Sequence, residues 1–312
     1  MINPSKRCVA TKNKNFTAVD GLLCDKKGLT LYVYPGNRAN KRYYIPEGVK
    51  TTRKYSFFNS QTINEVIIPS TIETIDDYTF KNCTNIYDIY YIKGSGLTTE
   101  GTGIFDGITT FKIRVSKNIQ STIPTIKGKE TTSDLTVGVS GATTRYMYSE
   151  EYKILTIYEE GAMNDYDETQ SPWYSLNEGI ETVMIESGIS KISESSFYEL
   201  TKLKKIEVNT SSTTYSSENG HLFDKDKKVM IQYMITNEQT EYTIPSSVES
   251  IKTRAFRSAS YLKTINVETN NQYLKSDNGI VYDMNQGTIY VYPNGKEDTI
   301  YQMPNSVKTV AD

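Results

Sequence analysis

Few residues in this sequence have the type and spacing that catalysis requires. His221 is the only histidine, so no serine or cysteine can be combined with a second histidine in a nucleophilic site. In the internal alignment described below, the residues equivalent to His221 are Leu22 and Ile280, which are both apolar. We therefore expect His221 to be structural rather than a general base or a metal ligand, and we expect no enzymatic activity.

Residues suited to metal binding, redox chemistry or phosphate binding are equally few. The chain has three cysteines, too few and too scattered for a disulfide framework or a zinc site: Cys8, Cys24 and Cys83. Asp224 and Asp283 each begin a short oxygen-rich stretch, but neither stretch has the glycine and the distal glutamate of a calcium loop, so both are interpreted as turn residues. No glycine-rich phosphate loop is present. The sequence predicts no bound metal or cofactor.

Charge and composition exclude further classes. Lys and Arg number 35 against 37 Asp and Glu, a formal net charge of −2, which argues against a nucleic-acid-binding protein. Hydrophobic residues make up 37% of the chain, enough for a core, and the 25 tyrosines favour strands. Apolar runs are only strand-length, and residues 1–15 are polar and basic, so we expect no direct membrane insertion and no secretory signal in this chain.

A 23-residue repeat dominates the sequence. The pattern Ile-Pro-x-x-Val-x-x-Ile, followed by Ala-Phe or a related pair, returns with its apolar residues at identical offsets. Copies begin at Ile45, Ile68, Ile185, Ile244 and Met303. One such unit cannot bury its apolar face alone, so the copies must stack. The sequence predicts a β-rich repeat solenoid of short parallel strands joined by short helical or 3₁₀ turns.

A second element is inserted into selected repeats. Asn219-Gly220 and Asn278-Gly279 lie 59 residues apart, which is one repeat plus a 36-residue insert, and Asp20-Gly21 begins a similar segment. Asn-Gly and Asp-Gly favour tight turns with positive φ, and their flanks alternate apolar with polar residues. We interpret each insert as a β-hairpin at the edge of the solenoid.

The repeat register breaks in a Thr-rich and Ser-rich region. The sequence therefore suggests an N-terminal hairpin with a repeat block over residues 1–115, a linker or long loop over 116–140, and a second block with two hairpin inserts over 141–312. One continuous solenoid is an equally good interpretation.

The repeat resembles that of the BspA-like leucine-rich repeat proteins, which are surface proteins of anaerobic bacteria and protozoan parasites. The frame Ile244-Pro245, Val248, Ile251 and Ala255-Phe256 carries the resemblance, as do residues 155–174 and the hairpin 219–224. The resemblance implies a leucine-rich-repeat horseshoe without catalytic residues. It also implies a cell-surface or secreted, adhesin-like protein that binds a host-cell or extracellular-matrix protein. The alternative is an intracellular scaffold for an endogenous protein partner.

Binding would use the concave face of the horseshoe. In each Leu-x-x-Ile-x-Val strand, the residues that flank the second apolar position point away from the core. Among them, Ile67, Tyr90 and Met184 are apolar where solvent is expected, a common mark of an interaction site. The candidate protein-binding residues are Glu65, Ile67, Tyr87, Asp88, Tyr90, Thr182, Met184, Lys205, Glu207, Thr264 and Asn266.

Overall fold

The computed structural model describes residues 13–19, 21–36, 38–92, 97–167, 170–197, 200–234, 239–257 and 259–311. The chain divides into two compact units, Met1–Thr136 and Val137–Asp312. Both units are built from short strands stacked coil upon coil, which confirms the predicted β-solenoid.

The first unit contains two rows of parallel strands. The main row, called the first ladder, consists of β4, β6, β8 and β10, and a row of two-residue strands, β5, β7 and β9, runs along the other side of each coil. Strand β12 adds to β10 in parallel, and β11 pairs antiparallel with β12. The strands are β1 (Phe16–Val19), β2 (Leu22–Asp25), β3 (Thr30–Val33), β4 (Arg42–Tyr44), β5 (Thr51–Thr52), β6 (Glu65–Ile68), β7 (Thr74–Ile75), β8 (Asp88–Tyr91), β9 (Thr99–Glu100), β10 (Lys112–Ser116), β11 (Thr125–Ile126) and β12 (Lys129–Val139).

The second unit also contains rows of parallel strands, which two inserted hairpins interrupt. Strands β14, β16 and β18 form the second ladder, β22 and β24 form a shorter parallel pair, and β13 pairs antiparallel with β14. The elements are β13 (Arg145–Ser149), β14 (Ile154–Tyr158), β15 (Gly161–Ala162), a 3₁₀ helix (Tyr174–Leu176), β16 (Thr182–Ile185), β17 (Ile189–Lys191), β18 (Lys205–Val208), β19 (Tyr215–Glu218), β20 (His221–Asp224), β21 (Val229–Gln232), β22 (Glu241–Ile244), β23 (Ser250–Ile251), β24 (Thr264–Val267), β25 (Leu274–Asp277), β26 (Ile280–Asp283), β27 (Thr288–Val291) and β28 (Thr309–Val310).

The three predicted hairpins are present as antiparallel three-stranded meanders: β1–β2–β3, β19–β20–β21 and β25–β26–β27. Asp20, which the sequence predicts to begin the turn of the first, lies outside the described residues. The last strand of each meander pairs in parallel with a two-residue strand: β3 with β5, β21 with β23 and β27 with β28. Each insert therefore pairs, through its last strand, with a short strand of the chain that follows it.

Each of the last two meanders also covers the edge of a preceding parallel strand. Ile206 N in β18 donates to Gly220 O at 2.9 Å, and Val208 N donates to Ser217 Oγ at 3.0 Å. The same two bonds recur 59 residues later, from Ile265 N to Gly279 O and from Val267 N to Ser276 Oγ. The meander thus supplies acceptors to amides that an exposed edge would leave unpaired.

The predicted helical turns are largely replaced by hydrogen-bonded non-helical turns. Within the described ranges, the 3₁₀ helix at Tyr174–Leu176 is the one helical element. In the first unit, Phe57 N donates to Thr79 O of the next coil at 3.0 Å, and Tyr55 has a left-handed φ of 60°. Amides that bond from coil to coil are not available for a helix, and a left-handed residue interrupts helical geometry.

Residues 116–140 are not a loop throughout. The 11-residue strand β12 lies within this segment, and Ile126 and Leu135 are buried. The β-branched Thr and Val residues of 131–139 favour a strand, and the parallel partner β10 gives that strand its hydrogen bonds. The division of the chain into the blocks 1–115 and 141–312 stays a prediction.

Aromatic rings form a continuous column through the core of the first unit. The ring centroids of Tyr34 and Phe57 lie 5.0 Å apart, those of Phe57 and Phe80 lie 4.9 Å apart, and Phe105 follows Phe80 at 6.2 Å. Phe57 and Phe80 are fully buried. Each ring comes from a different coil, so this column joins successive coils.

Truncation of Phe57 should therefore uncouple neighbouring coils. We expect Phe57→Ala to lower the free energy of unfolding by about 3–5 kcal/mol, because it removes a buried ring and leaves a cavity between two others. Phe58 is the matched control, since it is adjacent in sequence but 47% exposed, and Phe58→Ala should cost about 0.5 kcal/mol or less. Urea denaturation measures both, and equal losses would contradict the assigned orientation of Phe57.

Candidate protein-binding face

The strand register places the candidate residues of the first unit in two rows on one side of the first ladder. Glu65 lies beside Asp88, and Ile67 lies beside Tyr90, which in turn lies beside Arg114. Val66, Ile68 and Ile89 belong to the apolar core on the opposite side. We call the side that carries Glu65 and Ile67 the outer face of the ladder.

Most of this outer face is buried, which corrects the expectation that it meets solvent. Ile67, Asp88 and Tyr90 are each 1% exposed, and Glu65 is half-buried. Tyr87, beside these rows, is exposed at 47%. Alternation along a strand gave the correct side for Ile67, Asp88 and Tyr90, but it did not reveal that other side chains pack over them.

A buried ionic network occupies one part of the face. The guanidinium of Arg114 is fully buried, and its Nε lies 2.7 Å from Asp88 Oδ1, while its Nη1 lies 2.6 Å from Asp134 Oδ2. Asp134 belongs to β12, at the bulge where the register with β10 shifts. One guanidinium thus binds two carboxylates where little water reaches them.

A second charged pair covers Tyr90. Arg42 forms an ion pair with Glu65, and the Arg42 guanidinium lies 5.8 Å from the ring centroid of Tyr90. Tyr87 Oη donates to Glu65 Oε1 at 2.9 Å. Burial, followed by the charge of Glu65, raises the pKa of Tyr90, so its phenol stays protonated. Together these groups exclude water from the centre of the face.

Arg42, Arg114 and Asp134 are the residues of this face that the sequence reasoning missed. A signal was present for Arg114, because it stands between the buried Ile113 and Val115 at the position that Ile67 and Tyr90 occupy in earlier repeats. A charged residue at an aligned outer position, with Asp88 one strand earlier, indicates a cross-strand pair. Asp134 had no such signal, since it lies in the segment predicted as a linker.

The second ladder has a corresponding outer face, on the side opposite its apolar core. This face becomes more exposed from β14 to β18. Thr182 lies beside Lys205, and Met184 lies between Thr156 of β14 and Glu207 of β18. Thr156 and Thr182 are buried, Met184 is half-buried, and Lys205 and Glu207 are exposed. Lys205 Nζ lies 2.5 Å from Glu207 Oε1. A half-buried methionine therefore lies beside an exposed ion pair.

The last two candidates lie apart from this group. Thr264 and Asn266 are on β24, which pairs with β22 and not with the second ladder, and both are half-buried. The structure thus brings Thr182, Met184, Lys205 and Glu207 together, and it brings Glu65, Ile67, Tyr87, Asp88 and Tyr90 together in the first unit.

His221 is a core residue of the second meander. It is 4% exposed, its Nδ1 accepts a hydrogen bond from Met234 N at 3.0 Å, and its ring stacks on Tyr233 at 4.5 Å. Burial lowers the pKa of His221 to about 4. A neutral imidazole that accepts from the backbone and stacks on an aromatic ring fits the structural role expected for this position.

The carboxylates considered for calcium cap turns instead. Asp224 Oδ1 accepts from the amides of Lys228 and Val229, at 2.7 and 2.8 Å. Asp283 Oδ1 accepts in the same way from the amides of Asn285 and Gly287. Burial tends to raise the pKa of Asp283, but these amide hydrogen bonds outweigh it and hold the pKa below its usual value. In the described part of the chain, no group of three or more His, Cys, Asp or Glu side chains is arranged to hold a metal ion.

The described cysteines are also core residues. Cys24 and Cys83 are fully buried, and burial raises the pKa of Cys83 to about 11. Cys8 lies outside the described residues. The described residues form no helix with the length and hydrophobicity that spanning a membrane requires.

A protein-family model described as "BspA type Leucine rich repeat region (6 copies)" matches residues 32–127, 168–225 and 230–288. No curated protein matches the chain.

Several solved structures are similar. A leucine-rich repeat protein from Eubacterium ventriosum is 25% identical over 56% of this chain and 55% of its own, with a TM-score of 0.39. The pneumococcal vaccine antigen PcpA is 17% identical over 98% and 61%, with a TM-score of 0.29. A leucine rich cell surface protein from Faecalibacterium prausnitzii is 19% identical over 83% and 70%, with a TM-score of 0.30. The aligned part of the present chain thus spans about half of the Eubacterium protein.

The buried network predicts an unusually sensitive arginine. We expect Arg114→Met to lower the free energy of unfolding by about 3–5 kcal/mol, because two carboxylates stay buried without their guanidinium. The control Lys50→Met breaks the exposed pair of Lys50 with Glu73 and should cost less than about 1 kcal/mol. Chemical denaturation at neutral pH measures both, and a wild-type midpoint for Arg114→Met would show that the network is not buried.

His221 predicts a distinct loss of stability in acid. Its folded pKa, about 4, lies below the usual 6.5, so the unfolded chain binds the proton first. The contribution of neutral His221 is complete above pH 6.5 and declines as the pH falls towards 4, by up to about 3 kcal/mol. His221→Leu, which places at this position the residue found at Leu22, should lack this decline. Parallel stability curves for the two proteins from pH 7 to 4 would contradict the prediction.

Proposed function

Because the chain belongs to the BspA-type leucine-rich repeat family, we propose that it is a surface-displayed, adhesin-like binding protein that recognises a host-cell or matrix protein. The family match covers more than half of the chain. Leucine-rich repeats generally mediate protein–protein interaction, and families built from them are typically non-enzymatic scaffolds. Surface display is proposed because BspA-like proteins are mostly cell-surface or secreted.

The observation that carries the proposal is the accessible strip on the second ladder. Met184, Lys205 and Glu207 lie in register on neighbouring strands, and their exposure rises towards β18. Methionine adapts its shape to a partner, and an exposed ion pair beside it supplies orientation and charge complementarity. On the first ladder, Tyr87 is the accessible aromatic candidate, since Ile67 and Tyr90 are covered.

Proteins bound through such a strip would make many modest contacts around a few anchors. We therefore place the contact surface on the outer face of β16 and β18, and we treat the covered network of Arg114 as structural support. The covered residues would affect binding only by changing the fold. This distinction makes the proposal testable with substitutions that leave the core intact.

The variant that tests it combines Met184→Glu with Lys205→Glu. We expect binding to weaken about tenfold or more, because the variant replaces the apolar anchor and reverses one charge at the centre of the strip. Surface plasmon resonance against a panel of matrix proteins that includes collagen and laminin measures the affinity. Lys228→Glu is the control, as it reverses an exposed charge on the second meander.

Antibody staining of intact and permeabilised source cells tests surface display. Signal on intact cells supports export, whereas signal only after permeabilisation would favour the intracellular scaffold. Wild-type affinity in the double variant, for any partner that the wild-type protein binds, would remove the strip from the proposal.

A further inference from the structure

The second unit contains a groove that the protein-binding proposal does not use. It has a volume of about 550 Å³ and lies between residues 191–195, which begin at the last residue of β17, and the meander formed by β19, β20 and β21. This volume falls within the roughly 300–1,000 Å³ of small-ligand sites. The groove contains none of the outer-face residues described above, so it is a separate candidate site.

The groove contains three carboxylates and two lysines, and both lysines are already paired. Lys191 Nζ lies 2.6 Å from Asp165 Oδ2, and Lys252 Nζ lies 2.9 Å from Glu194 Oε1. The fifth charged group, Asp224, caps its own turn. A groove with paired charges has no excess of cations for a phosphate or a polyanion, and no strong excess of anions for a polycation. Its charge pattern suits an uncharged ligand.

Hydroxyl groups form a large part of the wall. They belong to Tyr166, Ser193, Ser195, Thr214 and Tyr215. Several are held in place by the protein: Ser193 Oγ accepts from the amide of Tyr166 at 3.0 Å, and Tyr215 Oη accepts from the amide of Ile192 at 3.0 Å. Ser193 and Tyr215 still have their own hydrogens to donate, whereas the Tyr166 hydroxyl donates to Ser140 O and can only accept from a ligand. Burial raises the pKa of Tyr215, so its phenol stays protonated.

An apolar strip completes the lining. Ile192, Val229 and Ile231 contribute aliphatic side chains to the same groove. The combination of fixed hydroxyls, paired acids and bases, and a small aliphatic strip matches a ligand whose edges carry many donors and acceptors and whose faces are C–H surfaces. Sugar rings have this chemistry. Paired carboxylate and ammonium groups can serve vicinal hydroxyls, because one accepts and the other donates.

We infer that this groove binds a short segment of an uncharged glycan. The lining combines polar and apolar surface, as a sugar ring does, and the inference rests on its hydroxyls and charged pairs. The inference goes beyond the proposed protein binding and does not depend on it. The protein then recognises a carbohydrate through β17 and the second meander, and a protein partner through the second ladder.

The test uses the whole chain on an array of neutral glycans, followed by NMR titration with mannotriose, N-acetyllactosamine and chitotriose. We expect at least one neutral glycan to bind and to shift the amide signals of residues 191–195. The variant Glu194→Gln with Lys252→Gln keeps the shape but removes one charged pair, and it should weaken binding about tenfold. Melting temperatures confirm that the variant is folded.

The matched control is Lys204→Gln with Glu181→Gln. It removes an exposed ion pair that lies in the same unit but outside the groove. This control should bind glycan like the wild type. The variant Met184→Glu with Lys205→Glu should also bind glycan like the wild type, and that result would separate this inference from the protein-binding proposal. Absence of binding to every neutral glycan, equal affinity in the groove variant and the control, or occupation of the groove by peptides from a random library would each overturn it.

Discussion

A coil of 23 residues cannot bury its own apolar face, and both units depend on this constraint. Each coil has one ladder strand and one short strand, and both find their hydrogen-bond partners in the next coil rather than within the same coil. Aromatic stacking follows the same rule, since Tyr34, Phe57 and Phe80 belong to three successive coils. Stability in such a chain comes mainly from interfaces between neighbouring coils.

Because the coils supply hydrogen-bond partners to one another, an interruption of the repeat would leave backbone amides and carbonyls unpaired. The inserts prevent this twice in the second unit, where Gly220 and Gly279 accept from the amides of Ile206 and Ile265. Gly220 has a φ of 84°, and a Cβ at that position would lie 3.1 Å from Lys205 Cβ. The Asn-Gly turn is therefore needed both for its backbone conformation and for its close approach to the ladder.

The same stacking determines which surfaces are free for binding. In the first unit, parallel register places Arg114 diagonally across from Asp88, and Asp134 completes a buried network on the face. In the second unit, the corresponding side of β18 keeps Lys205 and Glu207 exposed. One repeat pattern thus produces a covered face and an accessible face, because different side chains pack over it in the two units.

The sequence by itself determined the repeat, the hairpins and the inward residues, because these follow from short-range periodicity and turn chemistry. It placed Ile67 and Tyr90 on the correct side of their strand. Only the tertiary structure decided that this side is buried. Arg42 stands one repeat before Glu65, but the repeat pattern does not show that its side chain packs near Tyr90, and Asp134 comes from a strand outside the repeat frame. The strand at 129–139 escaped prediction for the same reason, because its hydrogen-bond partner is β10, a separate segment of the chain.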